Sequence, residues 1–310
     1  MIITQTPLRV SLLGGNTDFA AYFKKHGGAV LTMAIDKYIY CIVKERYDDL
    51  IYINYSEKEK VSNVNEIKHD LVREALRLVV VEKGIEITFL SDVPSEGSGL
   101  ASSSAVVVGL LNALHQYKHE SVTARQLAEE ACRIEIDILK KPIGYQDQYA
   151  VAFGGVNLIE FGKEIKVQPI EAKLDYLALF YTGSTRKADS ILSQMKLDTE
   201  ILDKTKALVY RCLDILPFDN LLGLGSLLEE YWFLKRNLNQ AVTNIEIEGM
   251  YSLARSLGAY GGKIVGAGGG GFMLLVIPPE KRKVFINKFN YKELPFNLSK
   301  DGSKVIFNIQ

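Results

Sequence analysis

The chain reads as an α+β protein, on three observations. β-rich runs gather before residue 91, helices dominate from about residue 188 to Gly258, and the last part reads as a mixed sheet packed with helices. At 310 residues it is roughly twice a typical domain length, so two domains sharing a large interface are expected. A boundary near residues 165 to 180 divides it into 1–170 and 171–310, although no Pro- or Gly-rich linker marks the place.

The elements follow in order. From Lys37 to Tyr55 two runs, Tyr-Ile-Tyr-Cys-Ile-Val-Lys and Ile-Tyr-Ile-Asn-Tyr, flank Tyr-Asp-Asp-Leu and read as a hairpin with one covered face. A helix around Lys68 to Val81 precedes the strand Ile85 to Leu90, and a glycine-rich loop then feeds an apolar helix from about Ser103 to Tyr117. The next helix, Ala124 to about Lys140, sets Ala124, Ala128, Ala131, Glu135 and Ile138 near one face by their i, i+4, i+7 spacing. Glu135 is discordant there, because a carboxylate on an apolar face needs a pairing group or a cation. Strands are expected at Val156 to Phe161, Ile165 to Ile170, Tyr176 to Thr182 and Phe272 to Ile277, and the run Lys304 to Ile309 closes the final mixed sheet.

Composition removes several classes of function. Lys plus Arg and Asp plus Glu both number 37, giving zero formal charge without blocks of one sign, which argues against a nucleic-acid or membrane surface. Cys41, Cys132 and Cys212 are far apart and form no CxxC pair, so neither a zinc site nor a disulfide framework is expected. The N-terminus lacks a signal-like apolar run and no stretch approaches a membrane span of ~20 apolar residues. A soluble, unprocessed protein of the cytoplasm is the expectation, as monomer or homodimer.

Three glycine- and serine-rich segments carry the chemistry: Pro7 to Asp18, Pro94 to Ala105 and Gly258 to Phe272. In the middle one, Gly97-Ser-Gly-Leu-Ala-Ser-Ser-Ser104 lies between a strand and a helix, where backbone N–H groups and the positive end of the helix dipole meet an anion. It does not fit GxxxxGK[ST], so it is not a Walker A loop. In the last one, Gly266-Ala-Gly-Gly-Gly-Gly271 runs into an apolar strand; each glycine costs roughly 0.5 to 1 kcal/mol in a regular element, and close backbone approach is a reason to keep them. Asp147, in Gly144-Tyr-Gln-Asp-Gln-Tyr149, and Arg9 are ambiguous alone, since a loop Asp is commonly a cap and a strand Arg commonly faces solvent.

Together the three segments resemble the GHMP superfamily of small-molecule kinases, named for galactokinase, homoserine kinase, mevalonate kinase and phosphomevalonate kinase. The resemblance spans nearly the whole chain and implies a ribosomal protein S5 domain 2-like N-terminal domain and a ferredoxin-like C-terminal domain, with ATP and substrate between them. Pro7 to Ser11, Gly14-Gly-Asn-Thr-Asp18, His26 to Leu31, Ile35-Asp-Lys-Tyr38, Glu66 to His69 and Gln146-Asp-Gln148 make it most similar to the heptose 7-phosphate kinases and their sugar 1-kinase relatives. By that likeness Asp147 would be the base facing a sugar hydroxyl, with Arg9 beside it holding the carboxylate ionised and stabilising charge at the transferred phosphoryl group. Ser103 and Glu135 would hold Mg2+, and Gly97, Ser98, Gly99, Leu100, Ala101, Ser102, Ser103 and Ser104 would wrap the triphosphate of ATP. Thr17 and Asp18 would face the sugar, with Gly268 and Gly269 closing the floor.

The implied reaction is phosphorylation of the anomeric hydroxyl of D-glycero-D-manno-heptose 7-phosphate. A phosphorylated acceptor needs a second basic pocket, for which Lys37, Arg186 and Lys187 are the candidates. Three residues depart from the family pattern: Asn16 and Ala101 stand where many relatives carry glycine, and Glu96 lies at the mouth of an anion loop. Competing readings are a kinase of an unphosphorylated galactose- or fucose-like hexose, which would need Asp18 but not Arg186, a non-catalytic ATP- and sugar-binding regulator, and a decarboxylase of the mevalonate branch.

Overall fold

Two long strands organise the first half of the computed structural model, which describes residues 1–94, 97–185, 191–193 and 197–309. β1 (Ile2–Leu13) and β2 (Gly28–Glu45) pair antiparallel along most of their length, and the short helix α1 (Ala20–His26) lies in the connection between them. The other edge of β2 is shared. Its first residues pair with β6 (Val156–Phe161), which carries β7 (Lys166–Pro169), and its last residues pair with β5 (Ile85–Ser91).

The hairpin expected from Lys37 to Tyr55 does not form. β3 (Ile51–Asn54) pairs in parallel with β5, which therefore lies between β2 and β3, and β4 (Lys58–Val61) forms the edge beyond β3. The physical reason lies in side chains: Ile85 and Ile87 are fully buried, as an interior strand requires, whereas the Lys58-Glu-Lys60 segment puts charge on an edge that must not recruit another strand.

Helices cover this sheet: α2 (Asp70–Val79), α3 (Ser102–Tyr117), α4 (Ala124–Cys132) and α5 (Gln146–Phe153), with α3 packed across β1 and β2. The helix expected to run to Lys140 changes at Cys132 into a π-helical turn, Arg133–Ile138. A π turn shifts later side chains relative to the helical face, so Glu135 stays fully buried while Ile138, expected on the same face, is 43% exposed.

The second layer contains α6 (Thr199–Ile215), α7 (Leu221–Leu238), α8 (Ile245–Ser256) and α9 (Pro279–Phe289) with a four-stranded antiparallel sheet. Its strands β8 (Leu177–Tyr181), β9 (Gly261–Ile264), β10 (Phe272–Val276) and β11 (Glu293–Leu294) lie in the order β11-β8-β10-β9, the ferredoxin-like arrangement. The closing run joins the other sheet instead: β12 (Lys304–Asn308) pairs with β1, supplying ladder partners to an edge of β1 that would otherwise be open. Helix α7 ties the layers together, burying Leu224, Leu228 and Tyr231 in the larger core and Trp232 in the smaller one. No helix of the described residues is long and apolar enough to cross a membrane.

Candidate active site

Between the two layers lies a cleft of about 500 Å³. Arg9, brought there by β1 and 4% exposed, grips Asp147 in a bidentate pair: Nε donates to Oδ1 at 2.8 Å and Nη2 to Oδ2 at 2.7 Å. Its Nη1 donates to the Gly99 carbonyl at 2.7 Å, so one guanidinium joins the carboxylate to the middle glycine loop. Asp147 occupies the first turn of α5, where the helix dipole favours a negative charge. Two residues separated by 138 positions, each ambiguous in sequence, are thus brought together.

One wall of the cleft is polar and unsatisfied. Asp18 Oδ1, Ser11 Oγ, Asn16 Nδ2 and Gln146 Oε1 are buried atoms with no hydrogen-bond partner among the described residues, and all four residues line the cleft. Orphaned buried donors and acceptors each cost about 1 to 3 kcal/mol, so they are expected where a ligand completes them. Asp18 accepts one bond on its other oxygen, from the Gln146 N–H at 3.1 Å. Burial first, and the charge of Asp147 second, push the Asp18 carboxyl up to about 6. A side chain at Gly144 would overlap this carboxylate, which accounts for the glycine.

The opposite wall is formed by loop backbone. The N-cap of α3 is Ala101, which supplies no side-chain acceptor, so the first-turn N–H groups are left without a side-chain cap at the cleft. A Cβ on Gly99 would press on the Val265 carbonyl at 2.8 Å, and one on Gly266 would strike Gly99; the middle and last glycine loops touch backbone to backbone. Both departures from the glycine pattern sit at positive φ, Asn16 at 75° and Ala101 at 65°, the region where glycine carries no penalty. Behind this wall Glu135 accepts from Ser103 Oγ at 2.9 Å, Ser104 Oγ at 2.7 Å and Gln148 Nε2 at 2.6 Å. Burial pushes the Glu135 carboxyl up, while these donors and Lys141 oppose the rise. Ser103 faces the cleft, whereas Glu135 lies behind it with both oxygens accepting bonds; the two are the hard oxygen donors Mg2+ prefers, and holding it would require these hydroxyls to turn from the carboxylate.

Other expected residues lie elsewhere. Thr17 is fully buried and its hydroxyl is used in bonds to the Gly14 and Ala29 carbonyls at 2.7 and 2.9 Å, so it shapes the loop and does not line the cleft. Leu100, Ser104 and Gly269 back the lining that Gly97, Ser98, Gly99, Ala101, Ser102, Ser103 and Gly268 form. Lys37 is tied to Asp36 at 3.1 Å and does not line the cleft. Arg186, Lys187 and Glu96 lie outside the described residues. Sequence reasoning missed Lys141, Tyr231 and Lys263, all of which line the cleft. For Lys263 the one available signal was a charge inside the apolar run Gly-Gly-Lys-Ile-Val265.

Residues 63–155 match the GHMP kinases N terminal domain and residues 218–293 the GHMP kinases C terminal domain. A D-glycero-alpha-D-manno-heptose 7-phosphate kinase from Campylobacter jejuni is 32% identical, with 98% of each chain covered. The chain belongs to the GHMP kinases. A galactokinase from Pyrococcus furiosus is 27% identical over 94% of this GHMP kinase and 95% of its own length. Among solved structures, a D-glycero-D-manno-heptose 1-phosphate kinase from Bacteroides thetaiotaomicron superposes with a TM-score of 0.83 at 24% identity, all of both chains being covered, which shows the shared fold. As a member of this family the chain is a phosphotransferase acting on a hydroxyl group.

Proposed function

We propose that this GHMP kinase transfers a phosphoryl group from ATP to the anomeric hydroxyl of D-glycero-D-manno-heptose 7-phosphate, giving the 1,7-bisphosphate. The observation that carries the kinase chemistry is the Arg9–Asp147 pair set between the unsatisfied polar wall and the two touching glycine loops. The choice of heptose rests on the likeness to the Campylobacter jejuni kinase.

Asp18 Oδ1, Asn16 Nδ2, Ser11 Oγ and Gln146 Oε1 offer acceptors and donors to sugar hydroxyls, which orients the acceptor. Asp147 takes the proton of the attacking hydroxyl on a carboxylate lone pair that Arg9 leaves free, and Arg9 fixes the orientation of that carboxylate. Gly97 to Ser103 present backbone N–H groups and hydroxyls to the phosphates, and the Gly266 loop supports them from below. Ser103 and Glu135 would hold Mg2+, which supplies charge neutralisation across the phosphates when bound.

A kinase of an unphosphorylated hexose is the second reading, favoured by the placement of Lys37 against Asp36 rather than in the cleft. ATP consumption across hexoses, heptoses and their terminal phosphates, with phosphorus NMR of the product, separates the two. Turnover restricted to heptose 7-phosphate supports the first, and turnover of free hexose supports the second. Asp147→Asn should keep ATP and sugar binding and lose at least ~10²-fold in kcat, the lower range for a positioned base; near-normal turnover would refute the assignment.

A further inference from the structure

Two lysines are buried beneath the cleft, and the chemistry above uses neither. Lys263 on β9 is 1% exposed and lines the cleft, and Lys235 on α7 is 2% exposed. Because β9 alternates, Ile264 enters the smaller core while Lys263 turns to the other face, under Tyr231, whose ring centroid lies 4.7 Å from Nζ. Lys235, one helical turn beyond Tyr231, donates to the Gly266 carbonyl at 2.5 Å and so steadies the last glycine loop. Lys263 has no carboxylate and no hydrogen-bond acceptor on its ammonium among the described residues; the face of Tyr231 is its one polar contact.

Burying an unpaired ammonium is costly, and a Met or Leu would fill the same space without that cost. The cost is compounded by like charge. Burial, then Lys235, then Arg9 push the Lys263 ammonium well below its ordinary range, and burial followed by Arg9 brings Lys235 down to about 7. Arg9 has three of its five N–H groups committed to Asp147 and Gly99 and its charge offset by Asp147, so it leaves part of an incoming anion's charge unmatched. Two residues after Lys263 the chain enters Val265 and Gly266, where the two glycine loops meet. A lysine amine with no hydrogen-bond acceptor among the described residues thus stands at the junction of the loops, on the cleft side, where a bound phosphate oxygen would favour its charged form.

We propose that Lys263 is a substrate-touching residue that binds a phosphate oxygen in the cleft, carried by either the terminal phosphate of the nucleotide or the phosphorylated acceptor. It rests on the kinase reading for the identity of those ligands. Lys235 is a positioning residue that acts through the Gly266 loop.

The test compares wild type with Lys263→Met and Lys263→Arg. Calorimetric affinities are measured for ADP, a non-hydrolysable ATP analogue, heptose and heptose 7-phosphate, with a thermal melt of each unliganded protein. Loss of at least 10-fold in affinity for the triphosphate, with ADP within twofold of wild type, assigns Lys263 to the terminal phosphate. The same loss for heptose 7-phosphate, with heptose unchanged, assigns it to the acceptor. In either case Arg should restore part of the loss, and the unliganded Met variant should melt no lower than wild type. Affinities within twofold for all four ligands, or a parallel fall in all four with a lower melting temperature, overturn the proposal. Should the Met variant fail to fold, the same ratios read in Lys263→Gln decide it. If wild type phosphorylates no sugar, the acceptor reading fails, and the ratio of triphosphate to ADP affinity still decides the role of Lys263.

Discussion

Asp18→Asn perturbs the most unfavourable group on the polar wall, and its consequence can be worked from burial and charge. Asp18 is 1% exposed, accepts a single bond and has its carboxyl pushed up from 3.8 to about 6 by burial and by Asp147. Between those two pH values the folded chain binds a proton that the unfolded chain has released. The associated stability is therefore fully present below the unfolded value and is lost as pH rises through the folded one. A displacement of about two pH units, each about 1.4 kcal/mol, makes ionised Asp18 a burden of about 3 kcal/mol above pH 7. An Asn can turn its oxygen to the Gln146 N–H, keep that bond and carry no charge. Urea unfolding of wild type and variant without ligand, from pH 4.5 to 8, should give a difference of about 1 kcal/mol at the acid end that grows to about 3 kcal/mol in favour of Asn at the alkaline end. Taking the difference cancels the titration of carboxylates common to both proteins. A flat difference curve would show that Asp18 is hydrated and unperturbed, and the argument from burial would fall. The same variant should bind the sugar at least ~10-fold more weakly, because hydrogen bonds to charged groups contribute about 1.5 to 3 kcal/mol.

Two further substitutions test the opposite wall. Ala101→Gly relieves a left-handed residue at φ 65° and should raise the unfolding free energy by about 1 kcal/mol in denaturant melts; no gain would mean that the loop is not strained there. Glu135→Gln should leave the melting temperature within a few degrees, since Ser103 and Ser104 are hydroxyls that can both give and accept bonds. It should also shift the Mg2+ titration of activity at least ~10-fold upward through loss of an anionic ligand, and an unchanged titration would place that ligand elsewhere.

Local pattern carried the elements, and non-local pairing defeated it. Periodicity gave the α3 helix and the strands β5, β6, β8 and β10 closely, because each buries a face that the sequence spells out residue by residue. The order of strands was not legible: nothing between Lys37 and Tyr55 states that a strand thirty residues on will insert beside it, or that the C-terminus will return to β1. Glu135 shows the opposite case. Its discord with an apolar face announced a partner, and the structure supplies three donors. Arg9 and Asp147 stood out through the likeness to a family, since a bidentate pair across 138 positions has no local signature. The π turn was invisible for a related reason, because a one-residue widening leaves the apolar spacing of α4 intact up to Cys132.

The arrangement of unfavourable groups is itself an argument about ligands. Asp18 and the orphaned acceptors and donors occupy one wall, Lys235 and Lys263 lie beneath the last glycine loop, and Arg9 stands between them with its charge bonded to Asp147. A fold selected only for stability would replace the lysines by apolar residues and remove the buried carboxylate, since each carries a penalty that packing does not require. A neutral polyol satisfies the first wall and leaves Lys263 without a partner; an isolated phosphate does the reverse. The combination that relieves both is a hydroxyl-rich acceptor held against an anionic phosphate, and under the proposed mechanism the bidentate Arg9–Asp147 pair would stand where the two meet. On the proposed mechanism the polar and charged groups of the cleft are in place before the ligands arrive, the form of preorganisation that lowers a phosphoryl-transfer barrier.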